Sequence, residues 1–339
     1  MKRRCSQRVR GLCSGVFLAV LLFLLLGSVS SPAETRISDP FEAIVRAAET
    51  ILPSVVTLEV SVPQEHPAAT ILGTERVGTG VIVSPSGHIL TASYIVMGAR
   101  KIRVTLTDGR TLPGQVHKID YSSGLGVVKV KASGLPAAPL GESGGLRVGQ
   151  MAIAVGSRGE SERVVHHGIV SAVRPFTAPW EFLLENAVYT TAMTSGFFGG
   201  TPLLDARGRV IGIISLNMTQ DRGMGLAIPI SLFTAVREDL LDLRPDARRI
   251  RPWLGAVTVF VEDELLVQRV TLNGPAWKAG IRSRDVIQEV DGKQVENQVE
   301  FYRAVWRHQI GEPIQLTLKR GQETLPVQVT GGNREEFYR

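Results

Sequence analysis

Hydrophobic positions along the chain fall into distinct regimes. Val16 to Leu26 is an unbroken apolar run. In the segment 40–51, Phe41, Ile44, Val45 and Ala48 recur at helical spacing, which predicts a short amphipathic helix with Asp39 as its N-cap. After Pro53 the pattern shortens to β-type runs at 55–60, 78–83, 88–92, 102–106, 114–119, 125–130, 151–155, 168–173, 188–191, 210–218 and 225–228. Ser84-Pro85-Ser86-Gly87, Asp108-Gly109 and Ala206-Arg207-Gly208 supply turns between them. No long helix separates these strands, so a parallel α/β sheet is excluded in favour of closed β-barrels or a sandwich. A helix is predicted over 231–241, capped by Ser231, and 242–252 reads as a solvated, arginine-bearing linker (Arg244, Arg248, Arg249, Arg251). A second, mixed module follows at 253–331. Its strands are predicted at 254–259, 265–270, 286–290, 314–318 and 324–329, and its helices at 276–280 and 298–308.

Length and charge sharpen this outline. The 339 residues suit two domains, and 44% hydrophobic content is enough for two cores. The formal charge is +6, but Lys2, Arg3, Arg4, Arg8 and Arg10 precede any acid, which leaves the rest of the chain at +1. The body therefore lacks the bulk positive charge that a phosphate backbone demands, and no nucleic-acid partner is expected. A basic start, an apolar run and then Gly27, Ser28, Ser30, Ser31 and Ala33 follow the order of a secretory signal over residues 1–33. Left uncut, 11–29 is long enough to anchor the chain in a membrane. Both cysteines, Cys5 and Cys13, lie in this segment, so a chain cut after Ala33 has neither disulfides nor thiolate chemistry.

Ordered motifs then single out a family. Gly78–Val96 reads GTGVIVSPSGHILTASYIV, and Asp108-Gly109-Arg110, GESGGLRVGQMAIAVG from Gly141, GIVSA from Gly168, PLLDARGRVIGI from Pro202 and GLAIPI from Gly225 follow in order. This set resembles the trypsin-like protease domain of the HtrA family. Trp253-Leu254-Gly255, GPAWKAGI from Gly274, Asp285-Val286-Ile287 and Val290-Asp291-Gly292 resemble the PDZ domain that follows it there. The resemblance implies a mainly β fold, a trypsin-like double β-barrel over 41–241 and a small α+β PDZ-like domain over 253–331. It also implies a bacterial cell-envelope or periplasmic setting, no cofactor, and a homotrimer for which the stripe Phe41, Ile44, Val45 is available.

The catalytic positions depart from that family. Its histidine pattern T-x-x-H-V-V is met by Thr91-Ala92-Ser93-Tyr94-Ile95-Val96, and its D-L-A-V-L-K strand by Gly124-Leu125-Gly126-Val127-Val128-Lys129. The nucleophile of G-N-S-G-G-P maps to Phe198 with a one-residue insertion and to Gly199 without a gap. A hydroxyl nucleophile needs an imidazole to take its proton and a carboxylate to orient that imidazole. A phenol, with an ordinary pKa near ~10, is a poor base at neutral pH. Loss of all three members implies a fold kept for another task. Thr194, Ser195 and Thr201 offer hydroxyls nearby and Asp120 a carboxylate, but no histidine falls where a base belongs. Phe197-Phe198 reads as a plug of the emptied site or as an apolar contact.

The second module keeps more of its expected chemistry. A PDZ groove adds a peptide to a strand edge and holds its terminal carboxylate on backbone N–H groups. Trp253, Leu254, Gly255 and Ala256 match that loop and strand start, and Phe301, Tyr302 and Val305 are the candidate lining of the side-chain pocket. The segment 257–265 is shorter than in the family, and Arg284 replaces a glycine before Asp285. The metal candidates are His166 and His167, which cannot share an ion on a strand but could in a turn. Expected partners are exported or misfolded polypeptides, protein C-termini and an active HtrA-type protease. An active endopeptidase with a non-standard site and a metal- or ligand-sensing envelope protein are the alternatives.

Overall fold

The computed structural model describes residues 40–158, 162–192, 199–218, 223–244, 248 and 250–338. The signal-like segment with Cys5 and Cys13, Asp39, Thr194, Ser195, Phe197, Phe198 and Arg249 lie outside them. Helix α1 (Pro40–Ile51) leads into strand β1 (Val55–Ser61). Ile44 turns inward onto the core, while Phe41 and Val45 are more than half exposed. A helix unforeseen in the sequence, α2 (Pro67–Leu72), follows. His66 caps it, accepting from Ala68 N–H at 3.1 Å.

The first closed barrel runs in the order β1-β2-β3-β6-β5-β4. Its further strands are β2 (Glu75–Ser84), β3 (His88–Ala92), β4 (Lys101–Thr105), β5 (Thr111–Asp120) and β6 (Leu125–Val130), with helix α3 (Ser93–Val96) after β3. The second barrel, in the order β10-β11-β12-β9-β8-β7, contains β7 (Met151–Arg158), β8 (Glu162–Ala178), β9 (Phe182–Thr190), β10 (Thr201–Leu204), β11 (Val210–Met218) and β12 (Met224–Pro229). Alternate buried residues fill the two interiors, with Val56, Leu58, Ile82 and Ile89 in the first and Ala154, Val170, Val188 and Ile211 in the second, while Val81, Leu90, Ile153, Leu226 and Ile228 form a core shared by both barrels. Strand β10 is absent from the sequence reading because it is four residues long and contains Pro202. Proline cannot donate to a ladder, but β7 pairs only Leu203 and Leu204, beyond it.

The helix expected over 231–241 is two short helices, α4 (Ile230–Ala235) and α5 (Arg237–Leu240). Val236 N–H bonds the Phe233 carbonyl three residues back, closing the first helix. Ser231 is not its cap, since its N–H and hydroxyl are taken by Ser143 Oγ. Of the arginines that follow, Arg244 stays exposed, whereas Arg248 and Arg251 are engaged by the fold. Arg244 clamps Asp239, Arg248 lies between Asp120 and Glu335, and Arg251 stacks on Trp306 while donating to the carbonyls of Ser122 and Leu183. Arg248 and Arg251 dock the C-terminal elements against the barrels.

The last sheet runs β13-β14-β15-β17-β18, with β16 paired to β15. Its strands are β13 (Ala256–Val261), β14 (Glu264–Val270), β15 (Val286–Val290), β16 (Lys293–Gln294), β17 (Pro313–Arg320) and β18 (Glu323–Thr330). Helices α6 (Pro275–Lys278), α7 (Gln298–Val305) and α8 (Arg334–Phe337) accompany it. Arg284 adopts φ 74° where the family carries glycine, so the left-handed turn is kept without the residue that favours it.

One buried titratable pair on the first barrel predicts a pH effect. His88, only 6% exposed, packs edge-on to His117 with ring centroids 5.0 Å apart. Burial, aided by Lys129 and His117, pushes the His88 imidazolium down from 6.5 to about 4, and Asp242 only partly opposes this. Between those values the unfolded chain binds a proton that the folded chain refuses, so stability falls as pH drops through that window. His88→Gln should flatten this part of the profile, read as urea midpoints from pH 7 to 4.5. An unchanged slope would remove His88 as its cause.

Candidate functional site

Two places carry the chemistry foreseen in the sequence. The first lies between the barrels. Tyr94 opens α3, and its hydroxyl reaches across to donate to the Ser215 carbonyl on β11 at 2.8 Å. Burial pushes the phenol's pKa up, so it is a neutral group at physiological pH. Gly199 lies against this ring. A Cβ on Gly199 would be 2.9 Å from Tyr94 Cζ and closer still to the hydroxyl oxygen. Gly199 thus faces Tyr94, and Phe198 lies outside the described residues. The Gly199 carbonyl accepts from Thr79 N–H at 2.8 Å, and Gly200 N–H bonds the Ile214 carbonyl, which ties this turn to both barrels.

Gly124 completes the corner through its carbonyl, which accepts from Ser93 N–H at 2.8 Å. It has φ 78°, and a Cβ there would be 2.9 Å from Phe182 Cζ, so the phenylalanine ring crowds the space beside it. Asp120 is held within its own turn, accepting from Ser122 N–H and from Ser123 Oγ at 2.6 Å. Thr201 Oγ1 is buried with no hydrogen-bond partner among the described residues.

The second place is the groove between β13 and α7. Leu254, Gly255 and Ala256 do aim their N–H groups at a carboxylate, as a terminal-carboxylate cradle should. That carboxylate belongs to Glu181, on the turn between β8 and β9: Leu254 N–H donates to Oε2 at 2.8 Å, and Gly255 and Ala256 N–H donate to Oε1 at 2.7 and 3.0 Å. Gly255 has φ 78° and lies against the Trp253 ring, so a side chain there would be strained as well as crowded. Trp253 itself does not serve the cradle. Its N–H and C=O pair with Gly332, and its ring packs on Phe337 and Tyr338. Phe301, Tyr302 and Val305 are at most 1% exposed and form a core with Leu183 rather than an open pocket. Glu181, Leu183, Thr258 and Gln298 escaped the sequence reading, because no local motif marks a turn that docks on a loop 73 residues later.

Comparison with known proteins decides the family. Residues 78–213 match the trypsin-like peptidase domain and residues 252–330 the PDZ domain. A protein of Synechocystis sp. named as a serine protease, HhoA, is 36% identical over 281 residues, which cover 74% of this chain and 69% of that one. The chain belongs to the HtrA family. A Halomonas elongata HtrA relative, named as a periplasmic serine endoprotease of DegP-like type, is 35% identical across 76% of this chain and 56% of its own. The chain therefore spans about half to two-thirds of the length of these curated relatives. Among solved structures, the HtrA-type protease AlgW with a decapeptide superposes with a TM-score of 0.58 at 26% identity, covering 86% of this chain and 98% of that one. A serine endoprotease from Yersinia pestis gives 0.58 at 28% identity, covering 86% and 97%.

The histidines of this HtrA-family chain stand apart from both places. His166 and His167 are adjacent on β8, opposite Ala154 and Ile153, so their side chains point to opposite faces. His167 meets Phe41, and His308 bonds Asp291 at 2.7 Å. No cluster of three or more metal-ligating side chains occurs among the described residues. No helix among them is long and apolar enough to cross a membrane.

Proposed function

We propose that this protein is an exported, catalytically silent member of the HtrA family that binds polypeptide C-termini through its PDZ groove. The observation that carries the reading is the inter-barrel corner. A neutral, half-buried Tyr94 stands in the base position, Gly124 offers no carboxylate, and Gly199 offers no nucleophile. The phenol's proton is committed to the Ser215 carbonyl, so it has no route to activate a hydroxyl. Retention of the three-donor cradle at Leu254, Gly255 and Ala256 supports binding as the surviving activity, and AlgW, a relative of this architecture, is described with peptides bound.

Periplasmic naming of the DegP-like relatives supports the same compartment here, with the N-terminal segment as signal or anchor. Exposed Phe41 and Val45 on α1 support self-association as a trimer. In that setting the protein would hold exported or misfolded chains, or regulate an active HtrA-type protease. The competing reading, an active endopeptidase, has its support in relatives named as serine proteases.

A fluorophosphonate probe and an unfolded casein substrate separate the two. Neither labelling nor cleavage is expected, at any level that survives repurification. Labelling of a hydroxyl in this chain would establish the endopeptidase instead. Light scattering on the same sample reads the trimer.

A further inference from the structure

The β8–β9 turn does more than touch the groove; it follows the path of a ligand along it. Pro179 C=O accepts from Thr258 N–H at 3.0 Å, and Glu181 reaches Ala256 N–H, so the turn runs antiparallel to the free edge of β13. That is the direction taken by a peptide added to a sheet edge, held here through the Pro179 carbonyl and the Glu181 side chain. Tyr302 Oη binds the same turn twice, donating to Ala178 C=O at 2.7 Å and accepting from Glu181 N–H at 3.2 Å. Arg334 Nη1 donates to Trp180 C=O at 3.1 Å from the far side. Leu183 then enters the apolar cluster of Phe301, Tyr302 and Val305.

Glu181 is 6% exposed and adopts φ 57°, a conformation that disfavours a glutamate. Burial of a carboxylate is costly unless its oxygens are bonded. Burial pushes the Glu181 carboxyl above its ordinary value, and the three backbone donors and the nearby Arg334 charge work against that shift. Nothing local to the turn calls for an acid in a strained conformation. The cradle does.

We infer that the β8–β9 turn is an internal ligand of the PDZ groove, with the Glu181 side-chain carboxylate seated where a polypeptide's terminal carboxylate would bind, so that an external C-terminus binds only by displacing it. This rests on the groove's being a C-terminus site, as proposed above. One cradle cannot serve two carboxylates, so binding is competitive, and the measured affinity is the intrinsic affinity reduced by the closed fraction.

The test uses the full-length protein, Glu181→Ala and the near-isosteric Glu181→Gln. Amide hydrogen exchange is followed at Leu254, Gly255 and Ala256, with β17–β18 as the internal reference. In the wild type these three amides should be protected. In Glu181→Ala they should exchange at least tenfold faster, with the reference unchanged, and Glu181→Gln should lie between. Unchanged protection would overturn the internal contact. Binding of a fluorescein-labelled decapeptide ending in valine with a free carboxylate is then measured. Glu181→Ala should bind it at least tenfold more tightly than wild type, and its C-terminal amide should show no gain. Equal affinity for wild type and variant would overturn the competition. If the amides open but no protein binds the peptide, the internal contact stands and the C-terminus reading falls.

Discussion

Gly199→Ser is expected to destabilise the protein by about 2–3 kcal/mol, the upper range for forcing extra atoms into a packed site, and Tyr94→His is expected to relieve most of that cost. The serine Cβ would overlap the Tyr94 hydroxyl and lie 2.9 Å from Ile95 Cδ1. Tyr94 cannot swing away freely, because its hydroxyl is bonded to Ser215 C=O and its half-buried ring packs on the first-barrel core. An imidazole is shorter than a phenol and vacates the overlapping position. The two substitutions should therefore couple by about 1 kcal/mol or more, within the range seen for residues in contact. Urea midpoints of both single variants and the double give the cycle. A Gly199→Ser protein as stable as wild type would mean that Gly199 does not face Tyr94. Adding Gly124→Asp to rebuild all three side chains meets φ 78° and the Phe182 ring. The rebuilt triad still depends on donors aimed at a developing oxyanion, and losing one such donor costs about 10²–10³ in rate. Fluorophosphonate labelling of the triple variant should therefore be detectable but slow. Labelling at the speed of an active HtrA-type protease would show that the surrounding loop is already catalytic in shape.

Val305→Glu should unfold the C-terminal sheet rather than merely empty a binding groove. Val305 is 1% exposed and shares a core with Phe301, Tyr302, Ile314, Leu316 and Leu183. A carboxylate placed there finds no partner, and a buried unpaired charge belongs among the few changes that cost more than about 4–5 kcal/mol. That is a large share of an ordinary domain's stability of about 5–15 kcal/mol. Trp253 and Trp306 border this region, so fluorescence should report an early transition in urea, with far-UV circular dichroism of the barrels lost later. A variant with wild-type midpoints would place Val305 on an open wall. Peptide-binding loss in this variant is accordingly no measure of groove specificity, and Glu181 is the better position for that question.

Local chemistry explains which features were legible in the sequence. Turns such as Asp108-Gly109 and Asp291-Gly292 depend on residues that tolerate positive φ, and Gly109, Asp291 and Gly292 adopt it. Strands such as β3 and β6 announce themselves as short apolar runs between such turns, and their buried residues fill the barrel. Tyr94 and Gly124 could be named from motif spacing because the adjoining strands, β3 before Tyr94 and β6 after Gly124, carry the motif. For Phe198 against Gly199 the spacing alone allowed both, and the approach of β3 and α3 to the 199–200 turn places Gly199 against Tyr94.

Long-range docking explains the rest. β8 and β9 extend well past their apolar cores, to Ala178 and back from Phe182, because each lends the other backbone partners that side-chain patterning does not record. The arginines of 242–252 looked solvated, since a charged run carries no sign of the acids and carbonyls it will meet. Leu254, Gly255 and Ala256 were readable as a carboxylate cradle through their resemblance to a PDZ loop. That the cradle holds Glu181 was not readable, because the donors are backbone N–H groups, which every residue but proline carries. The sequence by itself determined two barrels and a PDZ domain. Only the tertiary structure, by bringing a turn 73 residues distant onto the loop, decided what occupies the groove.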